Sequence, residues 1–182
     1  LIVVYAYWAI VTAGILPNGP LSLVVILALF LGASALLLRS QVQEIRYFVR
    51  LNWRVLVVEE AVFIAAFSAL VMYRVLFPDV TVTTAVTGLT TEQPMDLAFL
   101  ASSIRSPEFP VADPWLAGHS ISYYYLGYLM LSVPAQLSFA PPWIAYNLGL
   151  ATIFGLAAVA SFSLAANAIT LANLRGVSST RF

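Results

Sequence analysis

Residues 21–38 read LSLVVILALFLGASALLL, eighteen positions without a charge or a proline. A helix lying on a soluble core keeps one polar face, whereas a helix crossing a bilayer needs roughly 20 predominantly apolar residues. No polar face can be drawn here, so the stretch is expected to span a membrane. The rest of the chain agrees: of 182 residues 62% are hydrophobic and 9% charged, with a mean hydropathy of +0.94. An ordinary soluble domain is about half apolar and about a quarter charged, so this composition cannot clothe a water-facing surface. A soluble globular protein is excluded. The eight basic residues, all Arg, balance eight acidic ones, which leaves no net basic field and excludes a nucleic-acid binder built on one. With no Cys, disulfides, thiolate metal sites and cysteine nucleophiles are excluded too.

Working outward, further apolar runs occupy 1–16, 55–77, 122–137 and 143–168. Open strands would leave backbone groups unpaired in lipid, so all are expected to be helices. Pro17-Asn18-Gly19-Pro20 stops the first run, and Ser138-Phe139-Ala140-Pro141-Pro142 joins the last two. The expected fold is an all-α polytopic transmembrane bundle of about five spans, the first partial, forming one integral-membrane domain over 1–182. A long loop, 78–121, carries a short interfacial helix. The chain starts at Leu1 inside an apolar run, without the basic flank and cleavage site of a signal peptide, so a piece of a longer protein is expected.

Short cytoplasmic loops carry excess positive charge. Segment 39–54 holds Arg39, Arg46, Arg50 and Arg54 against Glu44, which places it on the cytoplasmic side of the plasma membrane. Loop 78–121 then lies outside, and after Asp79 it carries Glu92, Asp96, Glu108 and Asp113 against Arg105. Arg175 and Arg181 in the tail run against simple alternation. The 39–54 arginines need no further role than topology and contact with anionic lipid.

Function is expected in the loop, where charge is concentrated. Residues 94–104 read as a short helix whose Leu97, Phe99, Leu100 and Ile104 give it an apolar side suited to the membrane interface. Glu92 and Asp96, four apart at its start, share a face near the positive end of the helix dipole, where they suit a cation or a base. Asp113 follows in a proline-stiffened segment. Tyr123, Tyr124, Tyr125 and Tyr128 then place four Tyr in six residues. That exceeds what interfacial anchoring requires, so some must face protein.

The order Glu92-x-Pro94-Met95-Asp96-x-Ala98-Phe99, Phe109-Pro110, Asp113-Pro114-Trp115-x-x-Gly118, Tyr123-Tyr124-Tyr125-x-Gly127 and Tyr146-Asn147-Leu148 resembles the YYY membrane-protein family, a multipass domain named for its triple tyrosine. Arg54, Glu60 and Phe63 also resemble that family's pattern, so the likeness covers about half the chain. Val111 and Ser122 depart from it, standing where Pro and Asn are expected. The family is distantly similar to the C-type (GT-C) glycosyltransferases, which transfer a sugar from a polyprenyl-phosphate carrier outside the cytoplasm. The resemblance implies Asp96 as general base or acceptor-orienting carboxylate, with Glu92 supporting it or sharing a divalent cation, and Asp113 as a further carboxylate. It implies Arg105 and His119 at the lipid phosphate and Tyr123, Tyr124, Tyr125 and Trp115 at the sugar. The expected partners are membrane lipids, a polyprenyl-phospho-sugar and the remainder of the full-length chain.

Plainer readings stand beside these. Glu92 and Asp96 suit a solvated helix start, Asp113 before Pro114 is a common turn opener, and a single His cannot form a His-cluster metal site. Glu59 and Glu60 cannot both face one partner on a helix, and Glu60 is expected to be the buried one. Asn147 suits a hydrogen bond to a neighbour. A non-catalytic scaffold or a transporter component is the alternative to an enzyme, although residues 21–38 and 143–168 lack the broken helices of a transporter.

Overall fold

The computed structural model describes residues 1–77 and 92–179, with side chains as far as 172. Positions 78–91 of the expected outer loop, the side chain of Arg175, and Arg181 lie outside the described residues. The elements are α1 (Ile2–Thr12), α2 (Pro20–Leu38), a 3-10 turn (Arg39–Gln41), α3 (Val42–Leu76), α4 (Gln93–Arg105), α5 (Leu126–Ser138) and α6 (Pro142–Ser179). Among the described residues the fold is all-α, and extended pairing is confined to an isolated antiparallel bridge between Ala112 and Ser120.

Two stretches are long and apolar enough to cross a bilayer, Pro20–Leu76 and Pro142–Ala172, where five were expected. At about 1.5 Å per residue, the 11 residues of α1 reach only about 16 Å against a hydrocarbon core of about 30 Å. The 13 residues of α5 reach only about 20 Å by the same rise. The expected 122–137 span is short because Tyr123 to Tyr125 precede α5 instead of entering it. Segment 39–54 is likewise not a loop. It continues as helix because VQEIRYFVRLNWR, residues 42–54, contains neither Pro nor Gly. Its charges do not break it, because Arg, Gln, Glu and Leu are good helix formers.

The chain divides into two compact units, Leu1–Val42 with Phe77–Gly149, and Gln43–Leu76 with Leu150–Phe182. In the first, α1 buries Val4, Tyr7 and Val11, which the 3.6-residue repeat puts on one side. They meet Leu23 and Ile26 of α2, Phe99 of α4, Phe109, Val111 and Ile121 of the connecting segment, and Leu129 and Val133 of α5. A Cβ on Gly149 would come 2.9 Å from Leu131, so glycine is what allows the start of α6 to lie against α5.

In the second unit α3 packs on α6. A Cβ on Gly155 would meet the Phe63 ring at 2.8 Å, and Ser163 Oγ donates to Glu59 Oε1 at 2.5 Å. Of the adjacent glutamates it is therefore Glu59 that is half-buried and hydrogen-bonded, whereas Glu60 is exposed. The expected assignment is reversed because α3 turns residue 59 toward Ser163.

Candidate functional site

The turn that ends α1 positions α4. Asn18 Oδ1 accepts from the Tyr7 hydroxyl and from Gln136 Nε2 at 3.2 Å. Its Nδ2 donates to the carbonyls of Ser103 at 3.0 Å and Ser106 at 2.5 Å, and its backbone N–H donates to Pro107 O at 2.8 Å. The last carbonyls of a helix lack partners within it, and here the α1–α2 turn satisfies that of Ser103 and that of the C-cap Ser106. Tyr7, fully buried, also accepts the Gly19 N–H at 2.9 Å. The C-terminal end of α4 is thereby fixed to α1, α2 and α5.

At the other end, Glu92 occupies the N-cap without a side-chain capping bond and is exposed. One turn on, half-buried Asp96 accepts the Tyr128 hydroxyl of α5 at 2.5 Å. Burial pushes the Tyr128 hydroxyl well above its usual range, and the Asp96 carboxylate that accepts its proton raises it further. Tyr128 therefore remains a donor at every ordinary pH.

Around buried Phe99, one turn further along α4, gathers an aromatic cluster. Tyr123 stacks on it at 5.3 Å and 17°, Trp115 meets it edge-on at 5.2 Å and 78°, and Tyr128 lies tilted at 5.4 Å. Trp115 is 61% exposed and Tyr124, edge-on to Tyr123, is 85% exposed. The outer rim of the cluster is thus an open aromatic surface. Tyr125 faces inward instead, accepting Trp8 Nε1 at 2.6 Å and lying against Phe109. The three consecutive tyrosines divide between an open surface and the core.

The segment carrying Trp115 is a tight loop. Ile121 N–H reaches Val111 O and Asp113 N–H reaches His119 O, both at 2.8 Å. Asp113 Oδ1 accepts the N–H groups of Trp115 at 2.8 Å and Leu116 at 3.1 Å, the side-chain turn that Asp makes in place of a backbone one. Gly118 takes a φ of +82°, a conformation that favours glycine. Asp113 shapes the loop that holds Trp115.

Arg105 stands elsewhere. It lies nine residues beyond Asp96, which at 3.6 residues per turn brings it to the opposite side of α4. There Arg105, Ala98, Ala101 and Ser102 border a cavity of about 440 Å³. His119 is exposed and borders a smaller cavity of about 240 Å³ with Ser106 and Glu108. Asn147 Nδ2 donates to Trp143 O of its own helix at 2.8 Å.

The structure thus brings Asp96, Trp115 and Tyr123 around Phe99 and Tyr128, with Glu92 one turn away, and turns Arg105 to the far side of α4. Among the described residues no three His, Asp or Glu side chains gather. Sequence reasoning missed Tyr128 as the partner of Asp96, and missed Asn18, Tyr7 and Gln136. An Asn within Pro-Asn-Gly-Pro was the one available signal for the turn. Comparison with curated proteins and with solved structures gives no match. A family profile described as "Uncharacterized membrane protein (DUF2298)" matches residues 2–180.

Proposed function

Since the chain belongs to the DUF2298 membrane-protein family, we propose that it is a GT-C-like glycosyltransferase module of a multi-pass plasma-membrane protein. Its donor is a polyprenyl-phosphate-linked sugar. The observation that carries the reading is the Asp96 carboxylate, held by Tyr128 at 2.5 Å beside the open aromatic surface of Trp115, Tyr123 and Tyr124. Aromatic faces pack against the apolar sides of sugar rings, and a fixed carboxylate next to them suits a sugar or acceptor hydroxyl. The arginines of 39–54 support a cytoplasmic place for that segment and an outer place for 92–121.

In the proposed reaction the acceptor hydroxyl oxygen attacks the anomeric carbon. The bond from that carbon to the carrier's phosphate oxygen breaks, polyprenyl phosphate leaves with the electron pair, and the hydroxyl proton passes to Asp96. Tyr128 keeps the carboxylate oriented, and Glu92 adds negative charge one turn away. A divalent cation, where one binds, would take Glu92 and Asp96 as its protein ligands and supply charge for the departing phosphate. The donor set fits an ion that keeps most of its water.

A second reading, a transporter component or non-catalytic scaffold, is favoured by Glu59. With Glu60 it borders a cavity of about 310 Å³ otherwise lined by Leu56, Phe63, Leu156 and Val159 of α3 and α6, and ionisable groups within spans mark ion and substrate pathways. The experiment that separates the two reconstitutes the full-length protein in vesicles with polyprenyl-phospho-sugar and follows release of polyprenyl phosphate. Asp96→Asn is expected to lower turnover by about 100-fold or more, and Glu92→Gln by less. Full turnover in both variants would remove the catalytic assignment. No turnover in the parent protein, with substrate flux abolished by Glu59→Gln, would establish the transporter.

A further inference from the structure

Between Arg54 and Arg74, α3 runs through 19 residues in which Glu59 and Glu60 are the only charged side chains. At about 1.5 Å per residue that run measures about 28 Å, close to a hydrocarbon core of about 30 Å. Glu60 stands six residues past Arg54, about 9 Å along the run. Ionisable side chains at such depth face the interior of a bundle and pair with another group. Glu59 does so through Ser163. Glu60 is exposed, and among the described residues no hydrogen bond or ion pair engages it. Residues 142–172 of α6 carry no charge that could answer it. Val57 and Ile64, which the helical repeat puts on the same side of α3 as Glu60, are exposed too.

The cavity beside Glu60 indicates what covers this face. It holds about 310 Å³, and apart from the two carboxylates its lining is Leu56, Phe63, Leu156 and Val159. A water molecule takes about 30 Å³ of liquid, so a bare ion here would bring several waters against apolar walls. An arginine suits the space better, because its methylenes lie along apolar side chains while its planar fork of donors reaches carboxylates. Glu59 gives one oxygen to Ser163 and keeps the other, and Glu60 keeps both. We infer that this face of α3 and α6 docks a transmembrane helix of a partner subunit, whose arginine enters the cavity and pairs with Glu60 and Glu59. The pairing neutralises a carboxylate that lipid would otherwise meet, so charge selects the partner more than apolar area does.

The probe is a synthetic single-span helix of leucine and alanine with one arginine at the depth of Glu60. It is mixed with the full-length protein in phosphatidylcholine vesicles, and association is read by energy transfer. The arginine peptide is expected to associate about tenfold more tightly than the same peptide with glutamine at that position, with lysine between the two. Glu60→Gln changes an exposed side chain, leaves the bond from Ser163 to Glu59 in place and should remove most of that preference. Glu60→Arg should reverse it, so that a peptide with glutamate at the position binds instead. Val159→Phe fills the cavity without changing charge and should weaken the arginine peptide while Glu60 stays. Equal association of the arginine and glutamine peptides, or a preference that survives Glu60→Gln, would overturn the docking site. Saturable sodium binding that Glu60→Gln abolishes, with no peptide preference, would assign the cavity to a small cation instead. Because the readout is association, its failure is distinct from a loss of turnover or of flux in the vesicle assay.

Discussion

Asn18 and Asp96 are polar side chains in the same unit, and they use their hydrogen-bonding capacity in opposite ways. The Asn18 amide has two acceptor sites and two donors; all four are engaged, by Tyr7, Gln136, Ser103 and Ser106. Asp96 receives the Tyr128 hydroxyl on one oxygen and sits half-buried at the edge of an aromatic surface. A carboxylate offers about four lone-pair directions, so most of that capacity is left for something outside the chain. A polar residue whose bonds are all used inside the protein serves the fold, and one that keeps capacity in reserve beside a surface is where a ligand can act.

That contrast can be broken most directly at Asn18. Asn18→Ala leaves two carbonyls and the Tyr7 hydroxyl without their partner, and one unsatisfied buried group costs about 1–3 kcal/mol. A loss of about 3 kcal/mol or more is expected, read as a lowered thermal midpoint by circular dichroism in detergent. Asp96→Asn keeps an oxygen to accept Tyr128, so its midpoint should stay near that of the parent while turnover falls. Equal destabilisation by the two would erase the distinction. Asp113→Ala tests an intermediate case, removing the two bonds that shape the Trp115 loop. About 1 kcal/mol is expected by analogy with a lost cap, with weaker sugar binding, and unchanged binding would show that the loop holds its form through Gly118 and the Val111 and His119 carbonyls alone.

The smallest effect is at alkaline pH. The folded Tyr128 hydroxyl titrates above its unfolded value, so the stability it contributes is fully present below about pH 10 and declines as pH rises beyond that. Tyr128→Phe should remove part of this decline in pH-dependent melts. Buried Tyr7, raised by the same cause, should preserve the remainder. A decline unaltered by Tyr128→Phe would place its origin elsewhere.

The local signals were legible where one residue type decides the outcome. An uncharged run gave α2, expected at 21–38 and found at Pro20–Leu38. The site helix was expected at 94–104 and found at Gln93–Arg105, because Pro94 favours a first turn and Ser106 leads into proline. Where hydropathy and helix propensity disagree, hydropathy misled. The arginines of 39–54 suggested a loop, yet nothing in that segment stops a helix. Side-chain partners over long separations were the least legible. The divided roles of Tyr123, Tyr124 and Tyr125 depend on Phe99 and Trp8, and the choice of Glu59 over Glu60 depends on Ser163, none of which is near in sequence.

The bonds of Asn18 also set a timetable for the growing chain. Its partners are Tyr7, already made, and Ser103, Ser106 and Gln136, which the ribosome has yet to add. At about 5–20 residues per second, the turn at Asn18 waits on the order of ten seconds for Gln136, while all of α3 is synthesised in between. For that interval the amide and the Tyr7 hydroxyl must find other partners, in water, headgroups or the insertion machinery. Unit one is therefore completed late, by a segment that follows the site it supports.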